Sequence, residues 1–261
     1  DERALVQGHL AEIIEGIGAA PQLIEIGPAA GIQTAMMVDA LQPPLYLPVQ
    51  VDAQAVRAVA ERLVAAYPHL HIAGMLADPT KPLVLPEFPG AKARRKTLFL
   101  PAVSACSYTP DDLSDVLRQA RGIAGAGVVL IVGVDLKKSR KVREAAGNDA
   151  QGLAAQLNAS LLARINRELE GDFQLQRFRH VAVHDEVLGC TGFYLESDYA
   201  QFVHVGGHRY DFAAGEVMLT GIASQYRAQE FEALAVEAGF ILQKNWTDAS
   251  RRTAIYVLSG T

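Results

Sequence analysis

The segment Leu23-Ile24-Glu25-Ile26-Gly27-Pro28-Ala29-Ala30-Gly31 decides the fold class of this chain. Its first four residues have the length and apolar character of a short buried strand, and the next five have the small residues and proline of a turn. Residues 33–41 then carry a helical pattern that ends before Pro43-Pro44. A strand, a glycine turn and a helix in this order form the first unit of an α/β sheet, and glycine lets the backbone approach a ligand there.

The same alternation continues outward from this segment. Apolar runs and helical periodicity predict strands at 45–51, 71–76, 97–100 and 128–134, and helices at 4–17, 53–66 and 111–121. Apolar strands that alternate with helices indicate a parallel sheet covered by helices on both faces.

The pattern changes after Asp135. The remaining elements are predicted as helices at 138–146, 149–169 and 227–238, strands at 178–184, 190–196, 240–246 and 252–258, and a hairpin around Gly206-Gly207. The last two strands are expected to form an antiparallel hairpin that closes a sheet edge. We therefore predict an α/β domain over 1–135 and 222–261, with an inserted α+β domain over 136–221.

Composition narrows the classes of function. The chain has 261 residues, 24 basic and 29 acidic, and 50% of its residues are hydrophobic. The formal charge of −5 disfavours a nucleic-acid partner, and no apolar run is long enough to predict a membrane span. Cys106 and Cys190 show neither a disulfide framework nor metal-ligand spacing, and no acid or cysteine completes a metal site with the histidines. The expectation is a cytoplasmic protein that binds a small molecule and no metal, with its oligomeric state open.

The glycine turn suggests a nucleoside ligand. The spacing Glu25-x-Gly27-x-x-x-Gly31 differs from the dinucleotide fingerprint and is closer to the S-adenosylmethionine (SAM) loop of class I methyltransferases. An ordinary strand-to-helix turn explains the same residues equally well. At the end of the next strand, Gln50 is placed to hydrogen-bond a ribose hydroxyl, whereas Asp52 fits either that role or the N-cap of the following helix. Asp78-Pro79 would lie near the adenine, or would form a loop turn.

Taken in order, several segments resemble the ergothioneine-pathway histidine Nα-methyltransferase family. They are Leu45–Val49, Gly133–Lys138, Asn148–Gly152, Leu157-Asn158, Ile165–Leu169, Asp172-Phe173, Phe178–His180, Phe212–Glu216 and Tyr226-Arg227. The resemblance implies a class I methyltransferase (Rossmann-like) domain, an inserted substrate-binding domain and SAM as cofactor. The predicted cofactor-binding residues are Gly27, Pro28, Ala29, Gly31, Gln50, Asp78, Pro79 and Pro101.

The chain departs from that family at the substrate. Gly147 stands for a substrate-contacting Tyr, Phe193 for a Met, and Gly221 and Ala223 for the Glu and Ser that recognise imidazole. The loop 101–108 lacks the family's Asn, and Gln50 replaces the ribose-binding acid. A site that loses its hydrogen-bond partners loses affinity for the group they bound, so histidine is not expected to be the substrate. The predicted substrate-binding residues are Gly147, Asn148, Phe193, Gly221, Ala223 and Ser224.

Methyl transfer from a sulfonium is an in-line displacement that depends on positioning, and an amine acceptor must be neutral when it attacks. The predicted catalytic residues are Asn148, Tyr226 and Tyr108, although both tyrosines also fit a packing role with the hydroxyl at the surface.

Three functions remain open. The first is methylation of the amino group of a small amino acid or related metabolite other than histidine. The second is cyclisation of SAM itself, with release of methylthioadenosine and a four-membered cyclic amino acid. The third is a non-catalytic SAM-binding protein.

Overall fold

The computed structural model describes residues 2–18, 21–27, 32–86, 88, 95–125, 127–185 and 189–261. Contacts divide the chain into two compact units. The first unit comprises Asp1–Lys137 with Gln225–Thr261, and the second comprises Lys138–Ser224. The boundaries drawn from the sequence were 135/136 and 221/222. In the described part of the chain, no helix combines the length and apolar character that crossing a membrane requires.

The first unit contains most of the helices and the large sheet. Its helices are α1 (Glu2–Gly8), α2 (Leu10–Ile17), α3 (Ile32–Leu41), α4 (Ala53–Ala66), α5 (Ala102–Ala105), α6 (Pro110–Ala124) and α9 (Ala228–Glu237). Its strands are β1 (Gln22–Ile26), β2 (Leu45–Gln50), β3 (His71–Ile72), β4 (Met75–Leu76), β5 (Lys96–Leu100), β6 (Val129–Asp135), β12 (Phe240–Thr247) and β13 (Thr253–Gly260).

Within the described residues these strands form one eight-stranded sheet. The order is β12-β13-β6-β5-β1-β2-β3, and β4 also pairs with β2. The pairs from β6 to β3 are parallel, whereas β13 runs antiparallel to both β6 and β12. The predicted α/β sheet and its antiparallel closing hairpin are therefore present.

Alternate residues of each strand enter two separate cores. Ile24 packs with side chains of α6 and α9 on one face, while Leu23 packs with side chains of α1 to α4 on the other. Successive strand side chains point to opposite faces, so a sheet covered on both sides must be apolar at nearly every position. This explains why β1 is buried along its whole length.

The second unit is a smaller α+β body. Its elements are α7 (Arg140–Gly147), α8 (Leu153–Glu168), the 3-10 turn Leu175–Arg177, β7 (Phe178–Asp185), β8 (Cys190–Ser197), β9 (Gln201–Val205), β10 (His208–Phe212) and β11 (Val217–Ser224). In the described residues, β11, β8 and β7 form an antiparallel sheet and β9 pairs with β10. The rings of Phe173, Phe178 and Phe212 meet edge to face, with centroids 5.4–6.2 Å apart, in the core of this unit.

Three local predictions differ from the structure. The single helix predicted over 4–17 is interrupted at His9, whose ring stacks on Trp246 with centroids 4.9 Å apart. The strand predicted over 71–76 is two short strands, and Val56 of α4 occupies the position that a Cβ at Gly74 between them would take. Strand β11 was not predicted, and the boundary at 221/222 falls inside it. Gly221 weakens the strand pattern in the sequence at this point. In the structure, the pairing of β11 with β8 shifts register between Leu219 and Gly221.

Candidate functional site

The carboxyl edge of the large sheet gathers most of the predicted cofactor-binding residues that are described. Gly27 follows β1, Gln50 ends β2, Asp78 lies two residues after β4, and Pro101 follows β5. Parallel strands bring these ends to one edge, where open α/β sheets bind ligands. Pro28, Ala29 and Gly31 lie outside the described residues.

Gly27 shows why the turn after β1 requires glycine. Its φ is +65°, and a Cβ added there would lie 2.8 Å from Ser104 Oγ. The Gly27 carbonyl accepts a hydrogen bond from the Ser104 hydroxyl. The Gly27 N–H donates to the Val49 carbonyl at 2.9 Å. Gly27 is thereby held against residues that follow β5 and lie in β2, and a side chain at this position would fill the space that Ser104 occupies.

A buried carboxyl group lies directly before this turn. Glu25 is fully buried and accepts hydrogen bonds from Thr34 Oγ1 at 2.9 Å and from the Tyr46 hydroxyl at 2.7 Å. Burial raises the pKa of Glu25 to about 7, against the lowering effect of these two donors. Glu2 also raises it, and the pKa of Glu2 is itself raised by burial. The pKa of Glu25 therefore lies near neutral pH, two residues before Gly27.

Gln50, which ends β2, and Asp52, which follows it, have different roles. The Gln50 side-chain oxygen accepts the Val51 N–H at 2.9 Å, which leaves its amide nitrogen to donate to a hydroxyl. Asp52 accepts the N–H groups of Gln54 and Ala55 at 2.8 and 3.4 Å and so caps α4. The capping alternative for Asp52 is therefore realised in the structure.

Asp78 and Tyr108 form the next part of this edge. Asp78 accepts hydrogen bonds from the N–H and hydroxyl of Thr80 at 2.9 and 2.8 Å, and these bonds lower its pKa. This is the turn that the sequence left open as an alternative, and Pro79 within it is buried. Burial raises the pKa of Tyr108 to about 12, and the charges of Asp78 and Asp112 add to the effect. At neutral pH Tyr108 is a neutral phenol.

Tyr226, a predicted catalytic residue, lies in the core of the first unit. It is 4% exposed, its hydroxyl oxygen is buried, and its ring meets Phe231 edge to face at 6.3 Å. The alternative of a packed ring holds, but the expected surface position of the hydroxyl was wrong. The residue before it, Gln225, donates from its side-chain amide to Asp135 Oδ2 at 2.6 Å.

The second unit contains a cavity of about 450 Å³. It is lined by Ala146, Ala154, Leu157, Asn158, Leu161, Phe193, Thr220 and Gly221. Two of the predicted substrate-binding residues, Phe193 and Gly221, are therefore in one wall. Among the described residues that line it, no side chain carries a formal charge, and the polar ones are Asn158 and Thr220.

Four other predicted substrate-binding residues lie outside that lining. Gly147 is buried, and a Cβ there would lie 2.8 Å from Ala182 Cβ, so the expected extra room for substrate is occupied by strand β7. Ala223 and Ser224 end strand β11, and Ser224 is 1% exposed. Asn148 is an exposed residue directly after α7.

Sequence reasoning missed the contribution of helix α8 to the cavity. Leu157 is 76% exposed and Leu153 is 58% exposed, although both lie on a helix whose buried residue is Leu162. The apolar spacing of Leu153, Leu157 and Leu161 is i, i+4, i+8, a second stripe beside the core-facing one. That surplus stripe was the available signal for a ligand-facing surface.

The described strand ends fit SAM. SAM carries a positive sulfonium and no phosphate, so its site needs a close backbone and neutral or acidic groups rather than a cluster of basic residues. Gly27 supplies the close backbone, Gln50 a free amide donor, and Asp78 a carboxylate. These three residues would hold it.

Comparisons with known proteins agree with this fit. A family profile described as "Histidine-specific methyltransferase, SAM-dependent" matches residues 1–260. Histidine N-alpha-methyltransferase of Mycolicibacterium smegmatis is 32% identical over 253 residues, covering 95% of this chain and 77% of that protein. The enzyme of the same name from Mycobacterium tuberculosis has the same identity and coverage.

Solved structures show the same fold. The CcbJ methyltransferase from Streptomyces caelestis matches with a TM-score of 0.57 and 17% identity, covering 98% of this chain and 90% of that one. The predicted class I methyltransferase fold and the resemblance stated from the sequence are both confirmed. The glycine turn, the matching fold and the profile over nearly the whole chain lead to one conclusion: this chain belongs to the histidine-specific, SAM-dependent methyltransferase family and is a SAM-dependent transferase.

Proposed function

We propose that this enzyme methylates the amino group of a small amino acid or related metabolite other than histidine. The observation that carries the proposal is the wall of the cavity in the second unit. Ala146, Leu157 and Phe193 line it, together with the glycine at position 221. This departs from the substrate named for the two curated relatives.

The chemistry of an imidazole ring supports the departure. Its two nitrogens need one acceptor and one donor, and a buried polar group left without a partner costs about 1–3 kcal/mol. The cavity side chains are mainly apolar, and burial of an apolar substrate against them stabilises the complex by roughly 25 cal/mol per Å². A mainly apolar side chain that needs no hydrogen-bond donor from the protein therefore suits the cavity better than imidazole does.

The residues of the first unit would act by position. SAM, when bound, supplies an electrophilic methyl group. Gly27 and Gln50 would hold its nucleoside part, and the neutral phenol of Tyr108 is able to orient a polar group but does not serve as a phenolate base near neutral pH. Asn148 remains the proposed contact for the amino-acid end of the acceptor.

Product analysis tests the proposal. The purified enzyme is incubated with SAM alone, with SAM and L-histidine, and with SAM and a mixture of apolar L-amino acids, and products are followed by mass spectrometry. We expect adenosylhomocysteine and an N-methylated amino acid with the mixture, at a rate above that with histidine. Gly27→Val should abolish the products, whereas Gly122→Ala on α6 is a control, because nothing lies within 4 Å of a Cβ at Gly122.

Two results would contradict the proposal. A kcat/KM for histidine that exceeds that for every apolar amino acid would return the enzyme to the substrate of its relatives. Methylthioadenosine formed from SAM alone would instead support the cyclisation alternative.

A further inference from the structure

The amide of Asn158 is held in one orientation in the cavity wall of the second unit. Its side-chain nitrogen lies 2.9 Å from the Tyr194 carbonyl oxygen and 2.9 Å from His180 Nδ1. A backbone carbonyl only accepts, so the atom facing Tyr194 must be the NH₂ group. That contact sets which side of the amide is nitrogen and which is oxygen.

His180 completes the arrangement. Its Nε2 lies 2.7 Å from the Gly147 carbonyl oxygen, so Nε2 carries the hydrogen and donates it. Nδ1 then accepts the second hydrogen of the Asn158 NH₂ group. If both ring nitrogens carried hydrogen, the NH₂ group would instead face another donor at Nδ1. The ring also stacks on Phe193, with an interplanar angle of 21° and centroids 6.2 Å apart. The backbone at Gly147 thus orients His180, and His180 orients Asn158.

These bonds decide which polar atoms are left for a ligand. Both hydrogens of the Asn158 amide are used, so Oδ1 is its remaining polar atom. Thr220 donates its hydroxyl hydrogen to the Phe193 carbonyl oxygen at 2.9 Å, which leaves acceptor capacity on Oγ1. Among the described residues that line the cavity, the side chains therefore offer hydrogen-bond acceptors and no donor.

From this geometry we infer that the cavity selects an uncharged apolar group that carries a hydrogen-bond donor, which Asn158 Oδ1 accepts, and that it rejects anionic groups. Asn158 is the specificity-determining residue, and His180 is a positioning residue that acts through it. The inference rests on the proposed function in one respect, since it describes the side chain of the amino acid proposed to accept the methyl group. An anion would face acceptor oxygens in an apolar wall without a compensating donor, which is a costly burial.

A substituted series of L-phenylalanine tests the selection. The probes carry hydroxyl, amino, methyl, methoxy or carboxylate groups at the meta or para position, so the apolar body stays constant while the hydrogen-bonding character changes. Binding is measured by calorimetry with S-adenosylhomocysteine present, so methyl transfer is not required. The hydroxyl or amino probe should bind about tenfold more tightly than the methyl probe, and the carboxylate probe at least about a hundredfold more weakly.

Variants separate positioning from simple loss of structure. Asn158→Leu should abolish the preference for donor probes and retain binding of the methyl probe. His180→Phe should reduce the preference to about twofold or less, whereas His180→Gln, which has one acceptor and one donor, should restore most of it. A melting temperature measured for each variant shows that it is folded.

Three results would overturn the inference: equal binding of donor and methyl probes, tight binding of the carboxylate probe, or absence of binding by every uncharged probe. If donor probes bind selectively but the enzyme transfers no methyl group to them or to any other amino acid, the proposed function fails while the inference stands. If the enzyme uses SAM to methylate the methyl-substituted and hydroxyl-substituted probes with equal kcat/KM, the inference fails while the proposed function stands.

Discussion

Replacement of Glu25 by Gln should remove a large part of the pH dependence of folding stability. The Glu25 carboxyl is fully buried between Thr34 and Tyr46, and burial raises its pKa from 4.5 to about 7. Gln has the same shape, accepts from the Tyr46 hydroxyl through its oxygen and can donate to Thr34 Oγ1. The substitution therefore removes the titration and keeps the packing.

The magnitude follows from the shift. A displacement of about two and a half pKa units, at 1.36 kcal/mol per unit, corresponds to about 3 kcal/mol. Because folding raises this pKa, the native state holds the proton more tightly than the unfolded chain does. The stabilisation is fully present below the unfolded value of 4.5 and is lost as the pH rises through about 7.

Urea denaturation at about pH 5 and about pH 8 measures the effect. The free energy of unfolding of the parent enzyme should fall by roughly 2–3 kcal/mol more than that of Glu25→Gln over this interval. Contributions from the ionisable groups that the two proteins share cancel in the difference. Glu61→Gln, at an exposed position on α4, is the matched control and should follow the parent enzyme. Parallel pH profiles for the parent and Glu25→Gln would refute the buried-carboxyl argument.

Two further predictions concern the strand ends. Gly27→Val should abolish SAM binding in calorimetry, because the new Cβ would lie 2.8 Å from Ser104 Oγ at a φ of +65°. Full binding by this variant would place the cofactor elsewhere. The control Gly122→Ala should bind SAM as the parent enzyme does. Asp52→Ala removes the N-cap of α4 and should lower the free energy of unfolding by about 1 kcal/mol with little change in SAM affinity. A loss of affinity of tenfold or more, without that loss of stability, would show that Asp52 binds the ribose instead.

Much of the large unit was predictable because its signals are local. The period of apolar residues marks strands and helices, and Asp52 and Thr109 stand where helix caps are expected. The parts that were missed depend on packing between distant segments. Val56 of α4 packs at Gly74, between the two short strands that replace one predicted strand, and a glycine within β11 weakens the sequence pattern of the last strand of the second unit.

The candidate site divides in the same way. Gly27, Gln50 and Asp78 were predicted from their places at strand ends, and Pro101 from the family resemblance; all four lie at the carboxyl edge of the sheet. The residues that line the cavity of the second unit were predicted less completely. Phe193 and Gly221 line it, but Gly147 packs on Ala182. Asn158, which also lines it, was not among the predicted site residues.

The sequence by itself determined the fold class, the glycine turn and the family, because these depend on residue order and short-range pattern. Only the tertiary structure decided that the Glu25 carboxyl is buried between Thr34 and Tyr46, and that Asn158 is oriented by a histidine 22 residues away. Burial and hydrogen-bond partnership are properties of neighbours in space. Residues far apart in the chain become such neighbours only when the sheets and helices pack.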